Sequence, residues 1–234
     1  VTPASSAHPS LVSHRTVRRA VGLLALLLPL LLVPGGYFGF GIALQDNLSS
    51  YVHTPLRDVF VGTLCGIGVL FFCYRGHDRF ENWTANLAGV FALGLGLFPL
   101  DADSDPLHQR TLVGFLHTAC GGGFFLTLAW YSLFHFPRVY ASDTDPEPHR
   151  PERNLLYRVS GGVIAVSMLA MAAYLLLLPD PWQQAADRWH ALLWLEWLAV
   201  WSFAAAWLIK GRIIGADLVF GLVAAARTQL RGRP

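Results

Sequence analysis

The stretch TLVGFLHTACGGGFFLTLAWYSLFHF, residues 111–136, contains no Asp, Glu, Lys or Arg. At ~1.5 Å of rise per residue it exceeds the roughly 20 residues that a helix needs to cross the hydrocarbon core of a bilayer. Inside hydrocarbon a chain must satisfy its own backbone N–H and C=O groups, so this segment reads as a membrane-spanning helix. Working outward, five more apolar segments reach or approach that length, giving spans of about 17–42, 58–75, 84–100, 111–136, 156–178 and 190–210. They are separated by turn and charge clusters: Asn47-Leu48-Ser49-Ser50 and Thr54-Pro55, then Arg75 to Arg79, then Asp101 to Pro106. The longest connection carries Ser142-Asp143-Thr144-Asp145-Pro146-Glu147-Pro148, a polar stretch punctuated by proline that reads as a solvated loop.

The expected fold class is therefore all-α, a polytopic integral membrane bundle of six transmembrane helices. It occupies residues 17–210, between a flexible N-terminal segment, 1–16, and an interfacial tail, 211–234. Composition agrees, with 54% hydrophobic and 14% charged residues among 234. The abundance of Phe, Tyr and Trp excludes a disordered or collagen-like chain, and a net charge of +2 leaves no nucleic-acid footprint. Cys65, Cys73 and Cys120 lie in apolar runs without C-x-x-C spacing, so they read as small buried hydrophobes rather than a disulfide framework or a thiolate site. Arg15, Arg18 and Arg19 before an apolar run imitate a signal peptide. The run continues past Pro34 without a small-x-small cleavage site, so it reads as a retained first span, kinked at Pro34.

Fourteen of the seventeen Lys and Arg residues fall on the side of the N-terminus, the second and fourth loops and the C-terminus. That asymmetry predicts that both termini are cytoplasmic; the expected location is the plasma (inner) membrane of a prokaryote. Trp182 and Trp189 then mark the outer interface, and Trp83 and Trp207 the inner one.

Ionisable groups inside hydrocarbon are costly, which makes those within spans the first functional candidates. Asp58 opens the second span, His117 lies ~9 Å along the fourth, and Glu196 lies ~9 Å past His190 in the sixth. In the six-span arrangement all three sit at similar, shallow depth near the outer surface, with His53, Arg57, His108 and His190 close to the same surface. Helical spacing groups Asp58 with Gly62, Cys65, Gly66, Val69 and Cys73; His117 with Cys120, Gly121 and Phe124; and Glu196 with Val200, Phe203 and Trp207. Asn86 shares a face of the third span with Gly89, Leu93 and Gly96. Small residues beside polar ones predict inward faces and a polar pocket at the outer end. The ligand-pocket candidates are thus His53, Arg57, Asp58, Asn86, His117, His190 and Glu196. Each also has a structural reading, as a hydrogen-bonded or ion-paired group with no ligand. No cofactor is expected. Asp58, His117 and Glu196 are the candidate zinc donors, without the His-x-x-x-His or His-Glu-x-x-His spacing of a helical metal site. Gly121-Gly122-Gly123 reads as a packing feature rather than a phosphate loop.

The segment Ser49-Ser50-Tyr51-Val52-His53-Thr54-Pro55-Leu56-Arg57-Asp58-Val59-Phe60-Val61-Gly62 is followed by Asn86-Leu87-Ala88-Gly89, Gly94 to Pro99, and Leu116-His117 with Phe124-Phe125. This order resembles the six-helix superfamily of damage-regulated autophagy modulators and GPI-anchor lipid-remodelling proteins, with its prokaryotic members of unknown function, over about residues 45–136. The spacing Ser49-x-x-x-His53 before Asp58 is also similar to part of the alkaline ceramidase pattern, whose paired histidines on the last helix are missing here. The first resemblance implies six helices, an extracytoplasmic first loop and a role in handling membrane lipid. It implies no catalytic mechanism.

The leading expectation is a multi-pass membrane protein that accommodates a lipid headgroup or small polar ligand in an outer-end pocket. The alternative is a membrane-embedded, metal- or acid/base-dependent lipid hydrolase or acyl-transfer enzyme using His117, Asp58 and Glu196. Membrane lipids are the expected partners, with self-association into a homo-oligomer left open.

Overall fold

The computed structural model describes residues 14–102, 106–138 and 150–212, which form helices and connecting turns with no strand among them. Helix α1 spans His14–Leu32, α2 Arg57–Cys73, α3 Arg79–Leu97, α4 Leu112–Trp130, α5 Arg150–Leu177, α6 Asp180–Asp187 and α7 Ala191–Lys210. Three segments are long and apolar enough to cross a membrane, as in an integral membrane protein: Leu112–His135, Arg150–Leu177 and Ala191–Lys210. The first of these is α4 continued by a π turn, Tyr131–His135. The proline-punctuated loop and nearly all of the tail read from the sequence lie outside the described residues.

Local chemistry sets the helix ends. The Asp78 side chain accepts from Glu81 N at 2.6 Å, so α3 starts at Arg79, five residues before the apolar run of the third span. At the start of α4 the Thr111 hydroxyl accepts from Gly114 N at 3.0 Å. α1 stops at Leu32, and Pro34 leads into a π turn, Gly35–Gly39, so the long first apolar run divides at the proline. Between the fifth and sixth apolar runs the sequence reading has only a loop. The chain forms α6 there, a short helix with proline in its first turn and no buried residue.

The six long helices close into a ring in chain order. α1 packs on α2, α2 on α3, α3 on α4, α4 on α5, α5 on α7, and α7 returns to α1. At the seams, close approach relies on missing side chains. A Cβ on Gly68 of α2 would meet the Gly89 carbonyl oxygen of α3 at 3.1 Å, and one on Gly89 would meet that of Gly68 at 3.0 Å. Gly22 of α1 lies equally tight against Leu208 of α7.

Outward, the ring is apolar: Leu23, Leu27 and Leu31 on α1, Phe115 and Leu126 on α4, Val166, Leu169 and Leu176 on α5, and Leu198 on α7 are all exposed. Inward lie the polar groups Arg18, Glu81, His117, Ser132, His135 and Ser167, all buried. At the end carrying the α2–α3 connection, aromatic rings fill the interior. Phe71 packs on Trp207 at 5.0 Å between centroids, and Tyr74, Tyr131, Phe136 and Phe203 also surround that indole. Trp207 is therefore a core residue rather than an interface marker, whereas Trp83, Trp182 and Trp189 are exposed.

Candidate functional site

The opposite half of the ring is hollow. A cavity of about 240 Å³ is lined by side chains of all six long helices, by Leu48 and Ser49 beside a 3-10 turn (Ser49–His53), and by Leu100, Pro106 and Leu107 of the α3–α4 connection. That volume lies just below the usual range of small-molecule pockets, roughly 300–1,000 Å³. The walls are Ala25 and Leu28 of α1, Phe60, Leu64 and Ile67 of α2, Phe124 of α4 and Phe203 of α7, with further apolar groups on α3 and α5. Among the described residues four polar ones line it: Ser49, His117, Thr118 and Glu196.

Glu196 projects from the second turn of α7, and its Oε2 accepts the Leu48 backbone N–H at 2.7 Å. One turn earlier, Leu193 N donates to the Asp46 carbonyl at 3.0 Å, which satisfies an otherwise orphaned N–H of the first helical turn. The loop before the 3-10 turn is thus stitched to the start of α7. His190, with a left-handed backbone (φ 51°), adds an ion-pair contact of 3.6 Å from Nδ1 to Asp46 Oδ1.

His117 lies one turn into α4, where Nδ1 is 2.6 Å from the Phe98 carbonyl oxygen, with the Leu95 carbonyl also facing the ring. A carbonyl only accepts, so this contact fixes the tautomer that carries a proton on Nδ1. Phe98 follows the last residue of α3, where carbonyls have no partner in the helix and the dipole is negative. His117 thus caps α3 from α4 while its ring forms part of the cavity wall. Thr118 donates to the Pro106 carbonyl at 2.5 Å, and His53 Nε2 bonds the Leu100 carbonyl at 2.9 Å, so both fasten the α3–α4 connection over the ring.

Of the seven residues singled out from the sequence, His117 and Glu196 share the cavity. His53 and His190 sit at the same end in supporting roles, one on the α3–α4 connection and the other on Asp46. Asn86 is half-buried on α3, away from the lining. Arg57 and Asp58 are exposed in the first turn of α2 and do not line the cavity, so the three-way convergence of Asp58, His117 and Glu196 does not form. The cause is the rotation of α2. It buries Phe60, Leu64, Ile67, Gly68 and Phe71, and turns the face of Asp58, Gly62, Val69 and Cys73 outward. Among the described residues no group of three His, Cys, Asp or Glu side chains is placed to hold a metal ion.

The chain matches no family model, no curated protein and no solved structure.

The sequence reading missed Ser49 as a wall residue and missed the polar cluster at the other end of the ring. There Arg18 Nη2 donates to Tyr74 Oη at 2.8 Å, and Tyr74 donates to Glu81 Oε1 at 2.7 Å. Glu81 Oε2 accepts His77 N at 2.9 Å, and the Tyr131 hydroxyl donates to the Glu81 carbonyl at 2.7 Å. The signal was present in Asp78-x-x-Glu81, the spacing of a capping box, which extends α3 back far enough to bring Glu81 inside the bundle.

Proposed function

We propose that this chain is a six-span integral membrane protein, with both termini cytoplasmic, whose ring cavity accommodates a membrane amphiphile. The hydrocarbon part occupies the apolar walls, and the polar end meets Glu196, Ser49 and His117. One observation carries this reading: a carboxyl group and an imidazole face a cavity otherwise walled by apolar side chains from all six long helices. The apolar outer surface and the Lys/Arg asymmetry support the membrane arrangement. The resemblance of residues 45–136 to a six-helix superfamily associated with lipid handling supports the ligand class.

Native mass spectrometry of protein released from detergent tests the occupant. A lipid-mass adduct is expected on the wild-type chain, and Val200→Phe, which fills the wall beside Glu196, should diminish it. Glu196→Gln should weaken adduct retention while preserving the fold, because the amide oxygen still accepts Leu48 N–H. A chain that carries no adduct under conditions retaining other lipids, or an adduct indifferent to Val200→Phe, overturns the reading.

A further inference from the structure

The cavity wall is mostly buried along α1, α2, α3 and α7, and it reaches the surface along α5 and, at Leu107, on the α3–α4 connection. Ala25, Leu28, Phe60, Leu64, Ile67, Leu95 and Phe203 line it from α1, α2, α3 and α7, and all are buried. On α5 the lining residues Ala172 and Leu176 are also exposed outside, Leu176 by 69%. On α4 the facing residue is Gly122, where an added Cβ would meet nothing within 4 Å, although its neighbours Gly121 and Gly123 press on Leu95 and Phe91 of α3. At the far end α4 and α5 are tight, since a Cβ on Gly161 would meet Leu133 Cγ at 2.6 Å. The two helices therefore touch at the aromatic end and part at the cavity end.

We infer that the gap between α4 and α5, beside Gly122 and Ala172, is a lateral portal through which a bilayer amphiphile with a hydrogen-bond-donating, non-phosphate head enters the cavity. This rests on the occupant reading above and adds its route and its head chemistry. The surface around the gap exposes Leu126, Val166 and Leu169, so its neighbours in a membrane are lipid tails and the group that passes is hydrocarbon. Among the described residues no Lys or Arg lines the cavity, which leaves a phosphate without a counter-charge there. Glu196 and Ser49 offer acceptors, so the head that fits is an alcohol or an amine.

The test uses the full chain in phosphatidylcholine vesicles with two photoreactive probes, a long-chain alcohol and the matching alkyl phosphate, each with a mid-chain diazirine. Labelled positions are read by peptide mass spectrometry. The alcohol should label Phe60 and Val200 severalfold more than the phosphate does. Gly122→Phe and Ala172→Phe, which plug the gap from either side, should each remove that labelling. Gly62→Phe, on the exposed face of α2 with open space around it, should not. Val166 and Leu169 face outward and should label in every case. Unchanged labelling of Phe60 and Val200 in both plugged variants overturns the portal and leaves the occupant reading standing. Equal labelling by the phosphate overturns the head chemistry. Labelling confined to Val166 and Leu169 with both probes overturns the occupant reading as well.

Discussion

The Tyr74 hydroxyl is fully buried between two charged side chains, accepting from Arg18 and donating to Glu81. Tyr74→Phe keeps the ring against Trp207 but takes one hydrogen bond from each buried partner, so it should cost about 1–3 kcal/mol. Thermal unfolding in detergent reads this directly, and a melting point equal to wild type would dissolve the network's structural role. Asp101 presents a second case, at the solvated end. Its carboxylate accepts from the Thr111 hydroxyl at 2.5 Å, from Thr111 N at 2.8 Å and from Arg110 N at 2.6 Å. These bonds, the hydroxyl first, hold its pKa below the ordinary value of 3.8. A depressed folded pKa gives stability that is complete above the unfolded value and is lost as pH falls through the folded one. The Arg110 and Thr111 amides should therefore stay protected from hydrogen exchange down to about pH 4 in the wild type. In Asp101→Ala, which removes the acceptor, they should exchange fast even near neutrality, and equal protection in the two proteins would contradict the assignment.

Helix faces show what a membrane sequence does and does not reveal. In water the apolar stripe of a helix marks its buried side, but in lipid both sides are apolar, and hydropathy no longer separates them. The inward faces of α4 and α7 were legible because His117 and Glu196 stand on them beside small or aromatic residues. α2 offered two competing glycine patterns: Gly62 with Gly66 beside Asp58, and Gly68 alone. The first drew the sequence reading, while the fold packs the second against Gly89. Gly89 and Gly96, which the sequence reading placed on an inward face of α3, pack on α2, with a Cβ on Gly96 meeting Leu64 Cβ at 3.2 Å. Gly68→Val should accordingly destabilise by about 1–3 kcal/mol through overpacking. Gly62→Val, with nothing within 4 Å of its Cβ, should change the melting point little. Reversal of that order, in the same detergent unfolding assay, would mean that α2 is rotated the other way.

Across the whole molecule, topology is the claim with the simplest experiment. In a chain freed of Cys65, Cys73 and Cys120, a cysteine at Ser104 should react with an impermeant reagent from outside intact cells. One at Thr144 should react only after the cytoplasmic face is opened. The opposite pattern inverts the orientation, and labelling of both from outside breaks the span count. The helical class and its apolar segments could be read from composition and run length. Ring closure and the hollow could not, because they depend on which distant helices meet, and one sequence does not encode that as a pattern. The seam that closes the ring joins α1 to α7, where Gly22 receives Leu208 and Arg19 donates to the Gly211 and Arg212 carbonyls. These partners are far apart in the order of translation. In the six-span arrangement proposed above, α1 waits in the bilayer with Arg19 and its glycine notch uncovered while the ribosome makes the intervening helices, and the hollow lacks the wall that bears Glu196. That arrangement gives biogenesis an interval in which the unfinished bundle is an open crescent, exposing surface that the finished ring hides.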